Sequence, residues 1–440
     1  MSEVVSLREW QTVGPAENAS LSKRYPFSAH DREVIANLAY SRRLEVLEVR
    51  DGLRITTTSF VGVVHLGSLT LQIRPKLAEL SPGAMATILC YALGLESAYR
   101  WNREAAVCLE AGEFGGLLAR ILVEEVDLLL RAGLQRDYQA RAVWRQSPRG
   151  RLDLPELARH PSRGGPLLAI PCCVSERGAD IALNRLVLAA LDAASALAAD
   201  PDTAFQLQSR SALLIDGCRQ MPLTRSLWEE AAAAMGRRSE RYQSILQLAD
   251  LLLNGAGASV GDSGRIVSLS SFLVDMNLVF ERLVSRLLSD FGPHGARVET
   301  QVSRTRSFRW SENPHGWQRP RLRPDIVVYD RATNQPNMIL DAKYKPISAV
   351  RRPPPEDLYQ LTLYSLSFGG RATITTRIVY PTLSDRSNGS QPRLEFYGAS
   401  RSRSMASVGF FGLPMLRVAK ALHRNDSAYL RQLAFALTSQ

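Results

Sequence analysis

The sequence predicts an α+β N-terminal region, β-rich over residues 1–85 and mainly helical over 86–255, followed by an α/β domain over 265–440. Three observations carry this expectation. Short β-branched and aromatic runs separated by turn signals crowd the first segment. Apolar residues recur at i, i+3 and i+4 across the second. A Gly/Ser-rich stretch, NGAGASVGDSG from Asn254 to Gly264, has linker composition, and the chain beyond it alternates helix-like and strand-like runs.

In the first segment VVSLREW suits a strand and Asp31 to Tyr40 a short helix. Leu44 to Val49 and Leu53 to Thr58 read as a hairpin turning at Arg50-Asp51-Gly52, because Asp-Gly is a strong hairpin signal. Phe60 to His65 and Leu69 to Arg74 form a second pair around Gly67-Ser68, giving an antiparallel sheet or small barrel that closes at Arg74-Pro75-Lys76. In the second segment Met85 to Leu95, Phe114 to Leu134, Ala182 to Ala199, Trp228 to Gly236 and Arg241 to Leu253 read as helices, with QRDYQARAVW as a strand. Asp180, Asn184 and Arg185 lie at the start of one of these helices. They suit capping and a surface polar cluster better than catalysis.

Beyond the linker, Ser271 to Leu288 is amphipathic and reads as a helix. Val298 to Val302, Ile326 to Tyr329 and Met338 to Leu340 read as strands, Glu356 to Phe368 as a helix after three prolines, and Ala372 to Tyr380 as a strand. Each of the two middle strands carries an acid where an apolar residue is expected. Asp325 follows Pro324 at the start of one. Asp341 ends the other, and Lys343 lies two residues on. Alternate strand residues point the same way, so Asp341 and Lys343 share a face, and Asp325 joins them if the strands pair. Carboxylates at that spacing suit Mg²⁺, or Mn²⁺ in its place, with the lysine beside a scissile phosphate. The bland alternative is a solvated hairpin end with a surface ion pair worth at most about 1 kcal/mol.

Charge favours the first reading. The chain carries a formal +11, which suits a polyanionic partner. Between Gln301 and Arg352 eleven Arg and Lys stand against four Asp and Glu, in the same window as the acids. Arg319, Arg321, Arg323 and Lys345, with Arg304, Arg306 and Arg309 upstream, would form a basic rim for a nucleic-acid backbone, with Trp310 and Trp317 among them. Gln360 and Tyr364 are four apart and share a helix face, able to bond a phosphate or order a water, or simply to complete an ordinary helix. Glu281 could extend the carboxylate set, or be a solvated helix glutamate.

The Pro-Asp and Asp-x-Lys spacing resembles the PD-(D/E)xK nuclease superfamily. MNLVFERLV, RPDIVVYD, ILDAKYKP and DLYQLTLYS together resemble the McrC family, nuclease subunits of McrBC modification-dependent restriction systems. LGSLTLQIRPK, the Arg149-Gly150-Arg151 turn and ADIALNRLV extend the likeness, which runs from about residue 30 to 400. The resemblance implies a Mg²⁺-dependent endonuclease acting on double-stranded DNA of the 5-methylcytosine type. Asp325 and Asp341 would then be metal ligands and Lys343 the catalytic lysine. Glu281 would be the acid of the first helix, and Gln360 with Tyr364 a Q-x-x-x-Y signature. It also implies a separate AAA+ GTPase partner that docks on the N-terminal region, residues 1 to about 255, with Arg74 and Lys76 as candidate contacts.

No G-x-x-x-x-G-K-[ST] occurs, so no nucleotide is expected on this chain. Five cysteines form no C-x-x-C pair and none follows Cys218, which disfavours an iron–sulfur cluster near the acids and suits reduced thiols in the cytoplasm. No membrane segment is expected. The competing readings are a stand-alone RecB-like repair nuclease, a non-catalytic DNA-binding regulatory subunit, and a restriction enzyme that reads its own target.

Overall fold

A computed structural model describes residues 3–75, 80, 82–94, 114–159, 169–195, 197–198, 200–255, 271–303, 307–319, 321–345, 353–369, 374–383, 392–397 and 404–439. The chain is a mixed α/β protein that divides into two compact units, one of Met1–Phe114 with Leu273–Gln440, the other of Gly115–Phe272. Most of the Gly/Ser-rich stretch, with Lys76, Arg304 and Arg306, lies outside the described residues. Among the described residues no helix is long and apolar enough to cross a membrane.

The N-terminal part of the first unit contains β1 (Glu3–Arg8), β2 (Thr12–Val13), α1 (Ala29–Tyr40), β3 (Leu44–Val49), β4 (Gly52–Thr57), β5 (Phe60–Leu66), β6 (Leu69–Arg74) and α2 (Pro82–Ala92). Helix α1 starts at a reciprocal cap: Asp31 N donates to Ser28 Oγ and Ser28 N to Asp31 Oδ2. The β3–β4 hairpin requires its glycine, because Gly52 has φ +141° and a Cβ there would sit 1.9 Å from the Leu21 carbonyl oxygen. The segment is neither one antiparallel sheet nor a barrel. β2, β4 and β3 form a three-stranded sheet, while β1 runs parallel to β6 in a second one. Parallel pairing requires a connection across the sheet, which local hairpin signals do not report.

The second unit holds α3 (Phe114–Ala132), β7 (Asp137–Arg145), β8 (Arg151–Leu152), α4 (Leu154–Arg159), β9 (Ile170–Gly178), α5 (Ala182–Ser195), α6 (Pro201–Ile215), α7 (Arg225–Ala233) and α8 (Gln243–Gly255). Helix α5 is central. It is buried almost all round and packs against α6, α7 and α8. The region is less purely helical than its periodicity suggests, because β7 pairs along its whole length with β9 and β8 joins them.

The chain then returns to the first unit. β10 (Ser271–Asp275) adds beside β5, and only then does α9 (Met276–Phe291) begin, capped by Asp275. The helix expected from Ser271 therefore starts five residues later, because an apolar run before a helix keeps the periodicity without being helical. β11 (Ala296–Thr300), β12 (Ile326–Asp330), β13 (Pro336–Ala342), α10 (Pro355–Gly369), β14 (Thr375–Thr382), β15 (Arg393–Tyr397), β16 (Ser404–Pro414), α11 (Met415–Arg424) and α12 (Ser427–Thr438) complete it. The six strands lie in the order β11-β12-β13-β14-β16-β15. β13, β14 and β16 are parallel and the rest antiparallel. Helix α10 covers one face. Its Tyr364 and Phe368 pack on Val327, Tyr329 and Ile339. Helix α9 packs against β13 and against α2 and α12.

Candidate metal-binding and catalytic site

The site grows from the β12–β13 register. Ile326 pairs with Leu340 and Val327 with Ile339, so one further step sets Asp325 across from Asp341. Val327 and Ile339 point into the core under α10, and alternation turns Asp325, Asp341 and Lys343 to that same face. The ladder continues past the strand end, because Lys343 N donates to the Val379 carbonyl at 2.9 Å. Backbone on both sides therefore fixes where these side chains start.

Asp341 is 1% exposed, and Lys343 Nζ stands 2.8 Å from its Oδ2. That charge-assisted contact offsets part of the cost of burying the carboxylate. Asp325 is half-buried and its Oδ2 accepts from Ala342 N at 2.9 Å. Burial, followed by the charges of Asp341 and Glu281, pushes the Asp325 carboxyl up to about 7. Burial likewise raises Asp341, against the pull of Lys343. Burial works to lower Lys343, but Asp341, Asp357 and Asp325 outweigh it and raise the ammonium above its ordinary value.

Glu281 on α9 lies within electrostatic reach of Asp325, and Gln301 Nε2 donates to its Oε1. Burial raises its carboxyl above the usual range. On α10, Gln360 Nε2 donates to Tyr364 OH at 2.6 Å, and Tyr364 OH donates to the Arg323 carbonyl at 3.1 Å. That last bond pins the backbone two residues before Asp325. Arg319, Arg321 and Arg323 are exposed on the approach, and Arg74 is exposed at the end of β6.

Three contributors escaped sequence reasoning. Asp357, in the first turn of α10, lies 3.8 Å from Lys343 Nζ and 3.7 Å from Lys345 Nζ, holding both ammoniums. An acid in a first helical turn reads as a dipole partner, which masked it. Gln301 sits at φ +53° directly after β11. Glu9, 4% exposed, accepts at 3.0 Å from the hydroxyl of Tyr344, the residue between the two lysines. Tyr344 also packs on Phe280, ring centroids 5.9 Å apart, so β1, α9 and the end of β13 meet behind the acids.

The residues fit a hard divalent cation. Two carboxylates held together in a buried place repel each other, and a cation between them removes that cost. Asp341 would offer such an ion a carboxylate already held in place by Lys343. Among the described residues no three His, Cys, Asp or Glu side chains converge as a full cage. A two-carboxylate site suits Mg²⁺, which keeps several of its waters, better than an ion needing an all-protein cage.

A family model described as "McrBC 5-methylcytosine restriction system component" matches residues 55–381. No curated protein matches. Among solved structures the fold is similar to a chain in the refined half-complex from a tetradecameric assembly of Thermococcus gammatolerans McrB AAA+ hexamers with bound McrC. The TM-score is 0.53 at 18% identity, over 97% of this chain and 100% of that one. A chain of the cryo-EM structure of the Thermococcus gammatolerans McrBC complex matches with a TM-score of 0.43 at 18% identity, over 65% of this chain and 87% of that one. With about three quarters of its length matched by the family model, the chain belongs to the McrBC 5-methylcytosine restriction system component family.

Proposed function

We propose that this chain is an McrC-type subunit, a Mg²⁺-dependent endodeoxyribonuclease built on a PD-(D/E)xK domain and controlled by a separate AAA+ GTPase. The observation that carries the reading is the convergence of Asp325, Asp341 and Lys343 on one sheet face, with Asp341 buried beside the lysine. Asp325 and Asp341 would hold the cation, with Glu281 close enough to adjust their charge. When bound, Mg²⁺ supplies Lewis-acid activation of the scissile phosphate and of the attacking water. Lys343 stays protonated among its carboxylates, so it serves as a charged donor to a phosphate oxygen or to the water rather than as a base. Asp357 keeps Lys343 and Lys345 from swinging out. Tyr364 and Gln360 hold the strand entry at Arg323, and Arg319, Arg321 and Arg323 bind flanking phosphates. The McrB-bound relative supports docking on an AAA+ ring, for which the exposed Arg74 is a candidate contact.

The test is Asp341→Ala, assayed with the AAA+ partner, GTP, Mg²⁺ and methylated DNA. DNA cleavage falls by more than about a hundredfold, beyond the 10–100-fold typical of losing only an outer-sphere partner. Stimulation of the partner's GTP hydrolysis persists. Cleavage at the wild-type rate overturns the assignment.

A further inference from the structure

The connection between β11 and β12 carries an aromatic cluster that the proposed cleavage chemistry does not use. Trp317 is 60% exposed and Trp310 38% exposed. Their ring centroids lie 5.8 Å apart at 60°, and His315 stacks on Trp317 at 5.0 Å and 28°. The loop is built to present these rings. Asn313 Nδ2 donates to the Trp317 carbonyl and Trp317 N donates back to Asn313 Oδ1, each at 2.8 Å. Gly316, at φ +65°, closes the turn. Both ends of the loop are tied to the core, since Phe308 and Leu322 pack in the cluster that contains Tyr364, beside the candidate site.

Large aromatics held in water by a pinned turn mark a recognition surface. The charges around them say for what. Arg309, Arg319 and Arg321 are exposed and among the described residues form no ion pair, and Arg323, also exposed, lies within electrostatic reach of Glu281. Glu312 is the one acid between Ser307 and Arg323. Planar faces between unpaired guanidiniums suit a base flanked by phosphates. A paired base hides its faces in the duplex stack, so these rings can only meet one that is unstacked.

We propose that the open face of Trp317, backed by His315 and walled by Trp310, is a stacking site for an unpaired DNA base, with the neighbouring arginines on the adjoining phosphates. The substrate class is therefore DNA with single-stranded character near the cut, whether a strand end or a locally melted duplex. This rests on the nuclease reading for its purpose but not for its test.

The test measures binding by the full chain without divalent cation, so cleavage does not enter. The probes are a fluorescein-labelled oligothymidylate, a blunt duplex of equal length, and that duplex with a central unpaired bulge. Wild type binds the oligothymidylate and the bulged duplex more tightly than the blunt duplex. Trp317→Ala weakens the first two by about tenfold, the range of one lost base–aromatic stack, and spares the third. Trp317→Phe restores most of the loss. Arg319→Ala with Arg321→Ala weakens all three probes together and flattens the salt dependence. Unchanged binding of the oligothymidylate by Trp317→Ala overturns the proposal, as does equal loss on all three probes. Loss on the oligothymidylate alone assigns the site to strand ends, and loss on both to melted duplex as well. Failure of Asp341→Ala to lose cleavage would sink the nuclease reading and leave this result standing.

Discussion

Two polar clusters, one in each unit, start from similar residues and end in opposite electrostatic states. In the second unit Asn184 is 0% exposed and fully matched. Its Nδ2 donates to the carbonyls of Gln135 at 2.9 Å and Ala179 at 2.7 Å, and its Oδ1 accepts from Tyr242 OH at 2.7 Å. Beside it Arg185 grips both oxygens of Asp180, at 2.6 and 2.9 Å, and that bond first of all holds the Asp180 carboxyl down at about 2. In the first unit burial pushes Asp325 and Asp341 up, and the charges of Asp341 and Glu281 add to the rise at Asp325. The difference teaches how to sort buried polar groups. A cluster that satisfies its own charges is architecture, and one that leaves like charges facing each other awaits something from outside.

The comparison breaks most visibly at Asp341. The Asp341→Ala protein, proposed to lose cleavage, should keep its stability in EDTA, because relief of the repulsion with Asp325 offsets the loss of one Lys343 partner and Asp357 still faces that ammonium. Urea midpoints in EDTA decide it, and a marked loss of stability would make Asp341 a structural residue. Asn184→Ala should do the reverse. It takes the Asn184 donor from the Gln135 carbonyl and the acceptor from the Tyr242 hydroxyl, while the Ala179 carbonyl keeps Ile181 N, and costs about 2 kcal/mol of folding stability, at roughly 1 kcal/mol per buried group left short. Full stability of that variant would remove the contrast.

The pH responses run in opposite directions. Asp180 has a depressed carboxyl, so its stabilisation is complete above its ordinary range near pH 4 and is lost as pH falls toward 2. Asp325 has a raised carboxyl, so in metal-free protein its contribution is complete below pH 4 and is lost as pH rises toward 7. Denaturation midpoints against pH for Asp180→Asn and Asp325→Asn should each flatten only their own limb, and Mg²⁺ should steepen neither in Asp325→Asn. The smallest effect is expected at Tyr344→Phe. It removes one bond to Glu9 and should cost about 1 kcal/mol, with a modest fall in cleavage from looser Lys343 and Lys345. Cleavage indifferent to this change would mean that β1 only supports the fold.

Much of the element pattern was legible because strand alternation and helical period are local. β3, β4, β5, β6, β12 and β13 follow their hydrophobic runs, α1 its cap, and α5 and α10 their periodicity. β16 was not legible. Its SMASVGFFGLP is buried along nearly its whole length, so it shows no alternation, and its glycines weaken any strand signal. β10 hid in the apolar run that leads into α9.

The sequence by itself determined that Asp341 and Lys343 share a face, that Gln360 and Tyr364 share another, and that a basic stretch surrounds Asp325, because each depends only on spacing along one element. The tertiary structure alone decided that Asp325 stands across from Asp341, that Asp357 restrains both lysines, and that Glu9 reaches Tyr344 across 335 positions of chain. Register and packing between distant segments set those meetings. They also decide which carboxylates find a partner within the chain and which are left facing each other.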